Sequence, residues 1–110
     1  NHQTMEVYGL ENVYVLGDTV DLPVSKAGGA CHSQSPVIVN NIASHIRLGR
    51  LCDAYDGRVV AIAQMGLEDG MPLWYDYESD VKPTPPNKLG GLMRKSFNRG
   101  VYWSVARGLI

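Results

Sequence analysis

Apolar positions along this chain gather in a few short blocks separated by glycine, proline and acidic residues. The first, Val13-Tyr14-Val15-Leu16, is an unbroken apolar run closed by Gly17-Asp18, and it predicts a parallel strand covered on both faces with an acid at its carboxyl end. A loop through Leu22-Pro23-Val24-Ser25-Lys26 then opens toward a helix at Ala27-Gly28-Gly29. Ser35 to Gly49 has helical character, with Ile38, Ile42 and Ile46 on one stripe and Gly49 as the stop. Pro36 either occupies the first turn of that helix or kinks a longer one begun near Ala27. Arg58 to Gln64 and Pro72 to Tyr77 read as strands, and the turn signal Asp69-Gly70 between them predicts an antiparallel hairpin. Lys82 to Asn87, with three prolines, is an extended connector. Beyond it Leu89, Leu92, Met93 and Phe97 follow one helical face, with Arg94, Lys95 and Arg99 elsewhere on the wheel, and Gly100 and Gly108 divide the segment into short helices. The expected class is α+β.

Composition adds two things to this pattern. Hydrophobic residues make up 45% and charged ones 19% of the 110 residues, enough for a core with apolar surface left over. No apolar run approaches the ~20 residues of a membrane-spanning helix, so any membrane contact is expected to be peripheral. The net charge of −1 hides an asymmetry: all 11 acids precede residue 81, whereas Lys82, Lys88, Arg94, Lys95, Arg99 and Arg107 follow it with no acid among them. Val101, Tyr102, Trp103, Val105, Leu109 and Ile110 interleave with those bases, a combination suited to an anionic membrane surface, where cations meet headgroups and Trp and Tyr sit at the interface. Packing on a core or a sister subunit is the alternative. A nucleic-acid interface is not expected.

Chemistry concentrates at the first block. Gly17 lets a ligand approach the backbone, a carboxylate at Asp18 can accept hydrogen bonds from polyol hydroxyls, and the helix start beyond it offers free N–H groups to an anion. Lys26 is placed to stabilise negative charge nearby. His32 and His45, thirteen positions apart and without neighbouring cysteine or acidic spacing, form no metal template.

Asn12-Val13-Tyr14-Val15-Leu16-Gly17-Asp18 with Ser25-Lys26-Ala27-Gly28 resembles the second FAD-contacting motif of the two-dinucleotide-domain flavoprotein disulfide reductases, and most of all their sulfide:quinone oxidoreductase branch. The resemblance runs on through Gln34-Ser35-Pro36, Tyr55-Asp56-Gly57, Tyr75-Asp76-Tyr77, Pro85-Pro86 and Val101-Tyr102-Trp103. It implies that Asp18 binds the ribityl chain of FAD and that Gly17, Lys26, Ala27 and Gly28 surround the flavin, with the helix N-terminus facing its pyrimidine edge. It also implies C-terminal helices that dip into the membrane to collect quinone, with Phe97 and Tyr102 as stacking residues and Trp103, Arg94 and Lys95 at the lipid surface. The family's redox cysteine after Tyr-Asp-Gly falls on Ala61, which has no thiol, so the usual two-cysteine relay cannot run through that position. Cys31, near the helix start, reads first as an inert packing cysteine and, as the alternative, as a substitute thiol; Cys52 has no evident role.

The chain contains no Gly-x-Gly-x-x-Gly after a strand, so the resemblance implies a C-terminal portion: residues 1–50 the tail of the FAD-binding domain, residues 51–110 the hairpin and the membrane or dimer-interface helices. The implied activity is FAD-dependent electron transfer to quinone, in a protein peripheral to the inner membrane on its cytoplasmic side. A type II NADH:quinone oxidoreductase-like flavoprotein, which needs no cysteine, and a non-catalytic dimerisation or anchoring module are the alternatives. The partners expected are quinone, the rest of the flavoprotein chain, an anionic membrane surface and, for the segment by itself, further copies of itself.

Overall fold

The computed structural model describes residues 1–109; Ile110, the last apolar residue of the basic end, lies outside the described residues. In chain order the elements are a 3-10 turn Gly17–Thr19, helix α1 Gly28–Leu48, strands β1 Val59–Gln64 and β2 Gly70–Tyr75, helix α2 Lys88–Ser96, a π-helical segment Phe97–Val101 and a short helix α3 Tyr102–Val105. β1 and β2 pair as a two-stranded antiparallel sheet, so the class is α+β as expected. The chain divides into two compact units, one of Asn1–Ala61 with Trp74–Val81, the other of Ile62–Leu73 with the chain from Lys82 onward.

In the first unit α1 begins at Gly28 and passes through Pro36, so the longer of the two anticipated helices forms. It ends where Gly49 takes the left-handed conformation, φ +66°, and donates its N–H to the His45 carbonyl at 2.9 Å. Its buried residues are Ala30, Gln34, Val37, Ile38 and Asn41, a helical stripe that includes two carboxamides. Ile38 joins Met5, Val20, Leu22, Val37 and Tyr55 in the core, whereas Ile42 and Ile46 are exposed, so the predicted isoleucine stripe is buried only at its first member. Asn41 is fully buried and fully used. Its Oδ1 accepts from the N–H of Cys52 at 3.1 Å and of Asp53 at 2.8 Å, and its Nδ2 donates to the carbonyls of Thr4 and Asp53.

The predicted strand over Val13–Leu16 does not form. Tyr14 makes one isolated antiparallel bridge with Glu6, Tyr14 and Val15 pack half-buried on the core, and Val13 and Leu16 are exposed. An extended apolar run becomes a strand only when a neighbour bonds it along its length. Among the described residues only the turn at Glu6 offers such a partner.

In the second unit β2 begins at Gly70, two residues earlier than expected, and Met65 donates to the Asp69 carbonyl at 3.1 Å to close the loop. Gly70 and Asn87 exchange both backbone hydrogen bonds, and the Asn87 side chain caps α2 by accepting from Gly90 N–H at 2.7 Å. A Cβ on Gly91 would stand 1.7 Å from the Glu68 carbonyl oxygen, so only glycine lets α2 start this close to the hairpin loop. Leu89, Leu92, Met93 and Phe97, the one-face stripe of the sequence, are all exposed, so this face does not pack on a core among the described residues.

Gly100 does not break the helix, contrary to the sequence expectation. A glycine weakens a helix by about 1 kcal/mol but ends it only where the backbone must turn left-handed. Gly100 falls within the π-helical segment, and Tyr102 continues in right-handed helical conformation. Gly108 is the true stop, at φ +66°, with Gly108 N–H bonding Val105 and Leu109 N–H reaching back to Ser104 at 3.1 Å in a Schellman arrangement.

Candidate cofactor site

Of the residues singled out around Gly17, Gly28 and Cys31 lie in the first turn of α1, Ala27 is its N-cap, and Gly17 lies in the preceding 3-10 turn. Gly17 adopts φ +79°, and its N–H donates to Oε1 of Gln34 at 2.8 Å. A Cβ on Gly17 would lie 3.7 Å from the Cys31 sulfur, so the Gly17–Thr19 turn rests directly on the side chain of Cys31. Asp18 is exposed, and its carboxylate has no hydrogen bond or ion pair among the described residues. Lys26 donates its ammonium to the Val20 carbonyl, which ties the loop between turn and helix back on itself.

The helix start is open. Ala27 is the N-cap in extended conformation, and alanine has no side-chain acceptor to satisfy the first turn. Its carbonyl takes the N–H groups of Ala30 and Cys31, which leaves those of Gly28 and Gly29 free of hydrogen bonds among the described residues. Gly29 sits hard against the hairpin: a Cβ there would stand 1.7 Å from the Val60 carbonyl oxygen and 3.7 Å from the Ala61 nitrogen. Ala61, half-buried, therefore lies beside Gly29 at the start of α1, whereas Gly17 packs on Cys31, two residues further along the helix.

Behind this surface stands a tyrosine cluster. Tyr55 donates to the Arg58 carbonyl at 2.8 Å, and its ring meets that of Tyr77 edge-on at 5.7 Å. Burial raises the Tyr55 hydroxyl above its ordinary pKa, and the Gln34 carboxamide beside it works in the opposite direction. Tyr77 is pushed up to about 12, chiefly by burial and then by Tyr55 and Asp56, and its hydroxyl donates to the His2 carbonyl at 2.9 Å. Gly57, at φ +84°, makes room for the Tyr77 ring. The Tyr75 hydroxyl accepts from Ser25 N–H at 2.9 Å and so pins the loop that leads to Lys26.

In the second unit Phe97 lines a shallow groove with Met93, Ser96, Gly100, Val101 and Ser104. Tyr102 lies outside that groove and is exposed. Trp103 is half-exposed with the Arg107 guanidinium 4.0 Å over its ring, and Lys95 is exposed. Arg94 is half-buried, and its Nε makes no hydrogen bond among the described residues. No helix among the described residues is long and apolar enough to cross a membrane.

Gln34 and Asn41 are the buried polar residues that sequence reasoning missed. Their signal was available: both lie in register with Ile38, at i−4 and i+3, on the side of α1 that meets the core.

Comparison with known proteins finds no matching protein-family model. The chain is 44% identical over 55 residues to a mitochondrial sulfide:quinone oxidoreductase of Dictyostelium discoideum, a match covering 49% of this chain and 12% of the relative. It is 27% identical over an alignment of 106 residues to a mitochondrial sulfide:quinone oxidoreductase of Schizosaccharomyces pombe, covering 86% of this chain and 23% of that relative. The chain thus spans less than a quarter of the length of either relative, and across most of its own length it is similar in sequence to sulfide:quinone oxidoreductases.

Proposed function

We propose that this chain forms part of an FAD-dependent oxidoreductase that passes electrons to quinone. The supporting observations are an exposed Asp18 carboxylate with no partner among the described residues, a side-chain-free Gly17 packed on Cys31 in the first turn of α1, and an uncapped helix start at Ala27–Gly29. These groups fit FAD. Asp18 accepts hydrogen bonds from ribityl hydroxyls, Gly17 leaves the backbone approachable, and the Gly28 and Gly29 N–H groups with the helix dipole favour negative charge at the flavin's pyrimidine edge. Lys26, held by the Val20 carbonyl, adds positive charge close by. FAD, when bound, accepts an electron pair from a donor and passes it on to quinone. Cys31 shields the turn from beneath, and Phe97 and Tyr102 supply flat apolar surface for a quinone ring.

Ala61 distinguishes this chain within the reading. Alanine holds no persulfide, so sulfide oxidation through a thiol at that position is closed, and sulfur chemistry would fall to Cys31 against the Gly17 turn. The same observation favours a second reading, a type II NADH:quinone oxidoreductase-like protein whose donor needs no thiol. Trp103, Arg94 and Lys95, with the exposed apolar face of α2, are assigned to a peripheral contact with anionic membrane. Anaerobic addition of sulfide, and separately of NADH, to the flavin-loaded intact protein tests the assignment. Bleaching by sulfide keeps sulfide as donor, bleaching by NADH alone selects the nicotinamide reading, and no bleaching by either contradicts both.

A further inference from the structure

The Gly17–Thr19 turn is thinly held. Inside it the Val20 N–H reaches the Gly17 carbonyl only at 3.3 Å, the Thr19 hydroxyl meets the Leu16 carbonyl at 3.5 Å, and Gly17 itself has the conformational freedom of a left-handed glycine. The shortest restraint on it comes from outside, the 2.8 Å bond from Gly17 N–H to Gln34 Oε1. Gln34 has no solvent exposure at all, and the rest of its carboxamide lies beside the Tyr55 hydroxyl. A buried carboxamide is costly wherever a hydrocarbon side chain of the same length would pack. What it does at this position is fix the Leu16–Gly17 peptide, one residue ahead of Asp18.

We propose that Gln34 is a positioning residue, whose carboxamide holds the Gly17 peptide so that the Asp18 carboxylate stands where a flavin ribityl chain can reach it. The inference rests on the flavin reading of Asp18. The oxygen of Gln34 performs the task, so glutamate, which keeps an acceptor at the same reach, substitutes for it, and methionine, of similar length and without an acceptor there, does not.

The test is a double-mutant cycle in the intact protein, stripped of flavin and titrated with FAD by flavin fluorescence. Gln34→Met is expected to raise the FAD dissociation constant about fivefold to tenfold, the loss that follows from one backbone-positioning hydrogen bond. In an Asp18→Ala background the same substitution is expected to change it by less than about twofold, because Gln34 acts through Asp18. A merely structural glutamine gives equal losses in both backgrounds, and that result overturns the proposal. An unchanged dissociation constant for Gln34→Met beside a weakened Asp18→Ala overturns it too, while leaving the flavin reading intact. An unaffected Asp18→Ala overturns the flavin reading of the turn, and the role of Gln34 with it. Should Gln34→Met fail to fold, Gln34→Glu takes its place: FAD binding within about twofold of wild type is expected, and a loss as large as that of Asp18→Ala refutes the positioning role.

Discussion

Replacing Gly29 by alanine puts a methyl carbon where the Val60 carbonyl oxygen stands, at 1.7 Å against an ordinary contact of about 3.4 Å. The obstacle is backbone, so no rotamer change relieves it, and either the start of α1 or the start of β1 must move by more than an ångström. Overpacking of this kind costs about 1–3 kcal/mol, and a backbone clash belongs at the upper end. Against it stands the gain from removing a glycine, about 0.4–1 kcal/mol through the unfolded chain. The expected net loss is about 2 kcal/mol, or a fall of roughly 10 °C in Tm for a domain of this size. Gly28 is the internal control, because a Cβ there meets nothing within 4 Å. Gly28→Ala is therefore expected to hold or slightly raise the Tm. Thermal unfolding followed by circular dichroism measures both. If Gly29→Ala matches Gly28→Ala, the close approach of the helix start to Val60 and Ala61 is wrong.

Asn41→Ala orphans the N–H groups of Cys52 and Asp53 and is expected to cost about 2–4 kcal/mol in denaturant unfolding, with Ser44→Ala, half-buried on the same helix turn and bonded only to helix carbonyls, costing far less. The Tyr77 hydroxyl, raised from an ordinary value of 10.0 to about 12, keeps its proton longer in the folded state. Its contribution to stability is complete below pH 10 and is lost as the pH rises from 10 to 12; Tyr77→Phe is expected to flatten that stretch of the stability profile, and an unchanged profile contradicts the raised value. The triple variant Trp103→Ala, Arg94→Ala, Lys95→Ala is expected to lose sedimentation with anionic vesicles, and equal binding by wild type and variant removes the membrane assignment. The exposed apolar side chains on α2 and at Ile42 and Ile46 predict concentration-dependent association of the isolated segment, which a monomer at high concentration in light scattering contradicts.

Local signals carried most of what the sequence revealed. Gly49 and Gly108 terminate helices because each takes φ +66°, a conformation that glycine adopts without cost, and the hairpin follows from two apolar runs on either side of an Asp-Gly turn signal. Gly100 shows the limit of that reasoning, since the same residue type inside a helix need not adopt the left-handed state. Val13–Leu16 was misread because pairing is non-local: four apolar residues in a row state that a strand could be buried, and only a neighbour makes it one. Along α1 the isoleucines pointed to a stripe that is buried only at Ile38, while the carboxamides of Gln34 and Asn41 lie on the buried side. The left-handed turn at Gly17 and a helix beginning near Gly28 were legible from residue type alone. That Gly29 brings Ala61 against the start of that helix was not, because the reason is the close approach of two backbones.

The central claim is that the Gly17–Asp18 turn and the open start of α1 hold a flavin. The most direct test is the visible absorbance of the intact protein, wild type and Asp18→Ala, purified side by side without added flavin. The account predicts a yellow wild type carrying FAD and an Asp18→Ala protein that folds but loses most of it. A colourless wild type, or flavin retained equally by both, contradicts it.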